Sequence, residues 1–246
     1  MKNSNPVFNN DIFTKPQHLS GSEIMTVSGT ITKSFYLLFL VVLSSLSTWL
    51  YLMTTHNFQT VTLFTIVGTV GSLIIGFIAI FKPQTCPVTA PLYAVFEGFA
   101  LGAITTLLSQ TYGGIAFQAV SLTMGVAFAM LASYKLGWIE VTEKFRSVLT
   151  VATGGIFVVY MGSMLLGMFG IQLPFLRSGM FGIIFSIVVI GVAALNLILD
   201  FDNIERGANS GAPAYMEWVG AFGLMVTLVW LYWEILRLLT MLRGDD

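Results

Sequence analysis

The sequence predicts an all-α polytopic membrane protein, a bundle of seven transmembrane helices. Of its 246 residues, 56% are hydrophobic and only 9% are charged, whereas soluble domains carry about a quarter charged residues. The apolar residues occur in continuous runs, each long enough to cross a hydrocarbon core of about 30 Å as a helix. A spanning segment must satisfy its own backbone, and the runs lack the alternation of a β-barrel strand. Water is therefore not the main solvent of this chain.

Seven apolar runs define the predicted spans. They cover residues 35–53, 61–81, 91–109, 115–134, 148–169, 179–199 and 215–239. Residues 1–33 are polar and lack the early apolar core of a cleavable signal peptide. We therefore expect a polar cytoplasmic N-terminal tail at 1–33 and one membrane domain at 34–243.

The distribution of lysine and arginine predicts the orientation of the bundle. If the N-terminus is inside, eight of the eleven basic residues lie in the inner segments. These eight are Lys2, Lys15, Lys33, Lys82, Lys135, Lys144, Arg146 and Arg206, against Arg177, Arg237 and Arg243 on or near the other side. The bias predicts an inner N-terminus and an outer C-terminus. The single cysteine, Cys86, would then lie on the inner side.

Glycines recur within several predicted spans. They are Gly68 and Gly71, Gly98 and Gly102 at GxxxG spacing, Gly154 and Gly155, and Gly220 and Gly223. In a bilayer such small residues let helices approach closely. We interpret them mainly as packing positions.

Ionisable side chains within the spans mark the candidate functional positions, because each is costly in lipid and needs a partner or a watery cavity. The candidates are Glu97, Asp200, Glu217, Glu234 and Arg237. Glu234 and Arg237 lie three residues apart near the outer end of the last span, so they are neighbours on the helix surface. The spacing predicts an ion pair at the outer mouth.

A second cluster is predicted at the inner end of the sixth span. Asn196, Asp200 and Asn203 fall at i, i+4 and i+7, so their side chains share one helix face. Oxygen-bearing groups suit Ca²⁺ or the passage of protons, and we expect Asp200 and Glu97 to be the acidic ligands. Two carboxylates held close would share a proton and form a pH-sensitive gate. The competing interpretation is that the inner acids are simply solvated, and for Asp202 we favour it.

Several other chemistries are not expected. His18 and His56 lie outside the spans, and no glycine-rich phosphate loop precedes a lysine. A hydrolase, a retinal protein or any other enzyme is therefore not predicted, and no cofactor is expected. The net charge of −1 gives no indication of a nucleic-acid partner.

The last quarter of the sequence resembles a known signature. The segments are Asn196-Leu-Ile-Leu-Asp200-Phe-Asp202-Asn203-Ile204-Glu205, then Glu217-Trp218, then Leu228-Val-Trp230-Leu-Tyr232-Trp-Glu234-Ile-Leu-Arg237-Leu-Leu. They resemble the C-terminal signature of the Bax inhibitor family of membrane proteins, in particular its bacterial YccA-like branch. The hydropathy pattern agrees from about residue 30 to residue 243.

The resemblance implies a seven-helix bundle whose last helix is central and which leaks Ca²⁺ in a pH-dependent way. In relatives, two aspartates on the sixth and seventh helices form the pH sensor. Asp200 matches the first aspartate, but the second falls at Thr227, so Glu97 and Glu217 are the available substitutes. Arg237 matches an arginine that pairs with a glutamate on the second helix. The second span here has no acid, and we expect Glu234 to take that role.

Two functions of different classes remain open from the sequence. The first is a leak for Ca²⁺ in the bacterial cytoplasmic membrane, gated by protonation near Asp200. The second is a non-conducting regulatory or scaffold protein that binds other membrane proteins, such as a membrane protease. The missing second aspartate at Thr227 is the feature that supports this alternative.

Overall fold

Seven long helices make up the computed structural model, which describes residues 24–55, 58–170 and 179–244. They are α1 Val27–Thr55, α2 Phe58–Phe81, α3 Cys86–Thr111, α4 Ile115–Lys135, α5 Glu143–Met168, α6 Met180–Asn209 and α7 Met216–Gly244. Each is long enough and apolar enough to cross a membrane. The predicted all-α fold class with seven spanning helices is confirmed, and the chain is an integral membrane protein.

Most of the helices extend beyond the predicted apolar runs. Helix α1 begins at Val27, inside the predicted polar tail, and α6 continues for ten residues past the predicted end at 199. Hydropathy marks the part of a helix that lies in lipid, whereas caps and polar turns decide where the helix ends. Helix α5, for example, begins where the Thr142 hydroxyl accepts a hydrogen bond from the Phe145 N–H at 3.1 Å.

Arg177 was assigned to the outer side when lysines and arginines were counted, and it lies outside the described residues.

Helix α7 is the central helix of the bundle. It contacts α1, α3, α4 and α6, and 56% of its most apolar 18-residue window is buried, the largest share among the seven helices. One face packs on α1 and α3 through Phe222 and Met225. Another packs on α4 and α6 through Leu231 and Ile235. Side chains on α7 therefore adjoin most of the other helices, which makes this helix the natural location for a functional site.

The GxxxG pair of α3 packs directly against α1, as predicted. A Cβ atom placed on Gly98 would lie 1.8 Å from Ser44 Oγ and 2.6 Å from the Val41 carbonyl oxygen. One placed on Gly102 would lie 2.5 Å from the Ser45 carbonyl oxygen. Backbone contact at this distance is possible only without a side chain. These two positions therefore set the separation between α1 and α3.

The other predicted glycine positions divide into two groups. A Cβ on Gly68 would meet the backbone of α3 within 2.5 Å, so this position also packs as predicted. Gly154 and Gly155 of α5 have open space around them, with no described atom within 4 Å of a Cβ. The packing interpretation therefore fails for the α5 pair, since α5 contacts the bundle less extensively than the other helices.

Candidate functional site

Asp200 of α6 faces the central helix at Gly223 and Thr227. Its Oδ2 atom is buried and has no hydrogen-bond partner among the described residues. The hydroxyl of Thr227 lies beside the carboxyl group, but it donates its hydrogen to the Gly223 carbonyl oxygen at 3.2 Å. A hydroxyl has one hydrogen, so Thr227 Oγ1 is left as an acceptor toward Asp200. A protonated Asp200 can donate to Thr227 Oγ1 while Thr227 keeps its bond to the Gly223 carbonyl oxygen, whereas a charged Asp200 gains a donor only if the Thr227 hydroxyl gives up that bond.

Asn196 and Asn203 do not join Asp200 in one oxygen cluster. Asn196 Nδ2 donates to Thr153 Oγ1 of α5 and to the Val192 carbonyl oxygen, both at 2.8 Å. Asn203 Oδ1 accepts from the Arg146 guanidinium of α5 at 2.6 Å. The i, i+4, i+7 spacing placed the three residues on one face correctly. That face, however, lies over the boundary between α5 and α7, so its members have different neighbours.

A charged network covers the C-terminal end of α6. Asp202 pairs with Arg146 of α5 and also with Arg206, whose Nε lies 2.7 Å from Asp202 Oδ2. Arg206 is in addition 3.6 Å from Glu143. The interpretation of Asp202 as a solvated side chain is corrected by this network, since 13% of the side chain is exposed. Arg146 lies 56 residues earlier in the chain, and no local spacing in the sequence indicates the contact.

Glu217 of α7 binds residues at the start of α1 and so holds the two helices together. Its Oε1 atom accepts from the N–H and from the hydroxyl of Thr26, at 2.8 and 2.7 Å, and its other oxygen pairs with Lys33. Thr26 precedes the first residue of α1, so Glu217 caps that helix from a different helix. Glu217 is therefore not placed beside Asp200, where the sequence suggested it as a substitute for the missing aspartate.

Glu97 lies at a different level of the bundle from Asp200. Its neighbours are Ser72, Tyr93 and Trp233. Trp233 is six residues beyond Thr227 on α7, which corresponds to about 9 Å along the helix. The structure therefore does not bring Glu97 and Asp200 together as a proton-sharing pair or as joint metal ligands. In the part of the chain that the structure describes, no three His, Cys, Asp or Glu side chains form a group that could hold a metal ion.

Glu234 and Arg237 do form the predicted ion pair, in the C-terminal half of α7, with Arg237 Nη1 3.6 Å from Glu234 Oε2. The hydroxyl of Tyr160 in α5 donates to Glu234 Oε1 at 2.5 Å and accepts from Arg237 at 2.6 Å. Ser186 of α6 contacts Glu234 Oε2 at 3.3 Å. Sequence reasoning missed Tyr160 and Ser186, because a tyrosine or serine within a span carries no charge that singles it out.

This network predicts strong coupling between Glu234 and Arg237. Glu234→Ala and Arg237→Ala should each destabilise the protein, because the first removes an ion-pair partner of the half-buried Arg237 and the second leaves the buried Glu234 carboxylate without that counter-ion. The double variant should be more stable than the sum of the two effects implies, with a coupling energy of about 1–2 kcal/mol. Thermal unfolding in detergent measures this cycle.

A matched cycle with Arg243→Ala provides the control. Arg243 lies on the same helix but contacts the Gly113 carbonyl oxygen and Gln118. Its loss should add to the effect of Glu234→Ala without coupling. Strict additivity of the Glu234 and Arg237 variants would contradict the pairing.

Comparison with known proteins gives one match. A model of the family described as Bax inhibitor 1 like matches residues 5–244, nearly the whole chain. No curated protein and no solved structure matches the chain.

Proposed function

Since the chain belongs to the Bax inhibitor 1 like family of membrane proteins, we propose that it is a Ca²⁺ leak that opens when Asp200 loses its proton. The observation that carries the proposal is the buried Oδ2 atom of Asp200, which faces the central helix and has no hydrogen-bond partner in the described part of the chain. We place the protein in the bacterial cytoplasmic membrane, within the YccA-like branch that its C-terminal segments resemble.

The direction of the pH dependence follows from the groups around Asp200. In the described residues its polar neighbour from α7 is the Thr227 hydroxyl, and the nearby Arg146 and Arg206 are both engaged by Asp202. No described cation is therefore available to stabilise a charged Asp200. A buried charge without a partner is costly, so loss of the proton should favour separation of α6 from α7 and entry of water. Flux should rise as the pH rises.

Polar side chains along α5, α6 and α7 support a route for a cation past Asp200. Asn203 lies on the inner side, the Asn196–Thr153 contact lies about two turns deeper, and the Glu234–Tyr160 contact lies toward the outer end. Each level offers fewer oxygen atoms than the six to eight that a tight Ca²⁺ site supplies. Weak binding at successive levels is suited to conduction, which requires that the ion also leave.

Flux measurements in liposomes test the proposal. The purified protein is reconstituted with a Ca²⁺ indicator inside the vesicles, and Ca²⁺ entry is followed from mildly acidic to mildly basic pH. We expect entry that increases with pH and is absent from protein-free vesicles. An absence of flux at every pH would instead support the scaffold function, which the threonine at position 227 favours.

The proposed orientation, with the N-terminus inside and the C-terminus outside, predicts which loops are accessible from outside the cell. Cys86 is a poor reporter, because it is buried with 1% of its surface exposed. In a Cys86→Ala background, Gly113→Cys in the α3–α4 loop should react with an impermeant thiol reagent in intact cells. Trp138→Cys in the α4–α5 loop, where the native side chain is 74% exposed, should react only after the membrane is opened. The reverse pattern would contradict the orientation.

A further inference from the structure

A cleft separates α3 from α5 on one side of the central helix. It has a volume of about 390 Å³, within the range of sites that hold small molecules. Two carboxylates and four aromatic side chains contribute to its lining. They are Glu97 and Tyr93 from α3, Tyr160 from α5, and Trp230, Trp233 and Glu234 from α7.

The two carboxylates of the cleft differ in their charge balance. Glu234 is neutralised by Arg237 and held by Tyr160. Glu97 is 9% exposed, and its neighbours Ser72, Tyr93 and Trp233 are neutral hydrogen-bonding groups. Among the described residues, no lysine, arginine or histidine forms an ion pair with Glu97. The cleft therefore holds one carboxyl group that lacks a counter-ion, and a bound cation would stabilise the charged form of that group.

The walls of the cleft indicate which kind of cation would fit. Ca²⁺ requires six to eight oxygen ligands, and the cleft offers one uncompensated carboxylate and two tyrosine hydroxyls among aromatic and valine side chains. Tryptophan and tyrosine rings attract cations through their faces, most strongly for ammonium groups that shed water easily. A carboxylate surrounded by aromatic rings thus matches an organic ammonium ion rather than a metal ion.

We propose that this cleft binds a small organic ammonium cation, with Glu97 as its counter-ion and the aromatic side chains of α3, α5 and α7 as its walls. Binding at this site does not require that the protein conduct Ca²⁺. Glu97 is separated from Asp200 by about 9 Å along the central helix, so the two sites are distinct. Glu234 also lines the cleft, but its charge is balanced by Arg237.

Equilibrium binding to the full chain in lipid nanodiscs tests this proposal with two probes of the same shape. Choline carries the trimethylammonium charge, and 3,3-dimethyl-1-butanol replaces that group with a neutral tert-butyl group. We expect saturable binding of choline and no binding of the alcohol at the same concentrations. Glu97→Gln should lower the affinity for choline by about tenfold or more. Glu205→Gln, the same substitution at an exposed position, should leave the affinity unchanged.

Four results would overturn the proposal: no binding of choline, equal binding of the alcohol, an unchanged affinity in Glu97→Gln, or displacement of choline by equimolar Ca²⁺. If Glu97→Gln fails to fold in a thermal unfolding assay, Trp230→Leu replaces it, because this variant keeps the charge and the apolar character. Its affinity for choline should fall about threefold or more. An unchanged affinity in that variant would equally overturn the proposal.

Discussion

Gly98→Ala is expected to destabilise the folded protein by about 2 kcal/mol or more, although it adds a single methyl group. The new Cβ would lie 1.8 Å from Ser44 Oγ and 2.6 Å from the Val41 carbonyl oxygen. The Ser44 contact involves a short side chain, but the Val41 contact involves backbone, so α1 must move away from α3. Thermal unfolding in detergent should show a clear decrease in the midpoint temperature.

Two further variants make this prediction specific. Gly155→Ala introduces the same change on α5, where no described atom lies within 4 Å of the new Cβ. It should be neutral or stabilising, since alanine favours a helix over glycine by up to about 1 kcal/mol. Adding Ser44→Ala to Gly98→Ala should recover only part of the stability, because the clash with the Val41 carbonyl oxygen remains. Equal stability of Gly98→Ala and Gly155→Ala would contradict the α1–α3 packing.

Thr227→Asp is expected to move the midpoint of Ca²⁺ flux upward by about one to two pH units. The new carboxylate would lie on α7 beside Asp200, where the Thr227 hydroxyl now lies. Two carboxylates in one buried site share a proton and hold it more tightly than either does alone. Because loss of the proton is proposed to open the leak, a more tightly held proton requires a higher pH for opening.

Thr227→Asn is the matched control for this variant. It has nearly the same shape as Thr227→Asp but adds no titratable group. Its flux midpoint should stay close to that of the parent protein. If Thr227→Asp and Thr227→Asn have the same midpoint, the carboxylate of Asp200 is not the proton-sensitive group.

The fold was predictable because its main determinants are local in sequence. Seven continuous apolar runs with few charges have one stable arrangement in a bilayer, and each gave one helix. Helix ends were less predictable, since α1 begins at Val27 on polar residues that hydropathy assigns to the tail. The capping of α1 by Glu217 involves residues 191 positions apart, and no local pattern in the sequence indicates it.

The candidate site was predictable only where the partners are neighbours on one helix. The Glu234–Arg237 pair spans three residues, and the spacing was sufficient to predict it. The Asn196, Asp200 and Asn203 face was also predicted, but the groups it meets were not. Asn203 meets Arg146 and Asp200 meets Thr227 because of how α5 and α7 pack around α6. The expected Asp200–Glu97 pair failed because Glu97 packs beside Trp233, about 9 Å along α7 from Thr227, and the position of a residue within a span does not define its level in the packed bundle.

The pH profile of Ca²⁺ flux through Asp200→Asn in liposomes tests whether the proton on Asp200 controls the leak. Asparagine keeps the shape of the protonated side chain, its amide can donate a hydrogen bond to Thr227 Oγ1, and it cannot ionise. We expect flux that stays low and nearly constant at every pH, while the parent protein and Glu205→Gln show the same rise with pH. A flux profile in Asp200→Asn with the midpoint and slope of the parent protein would contradict this expectation.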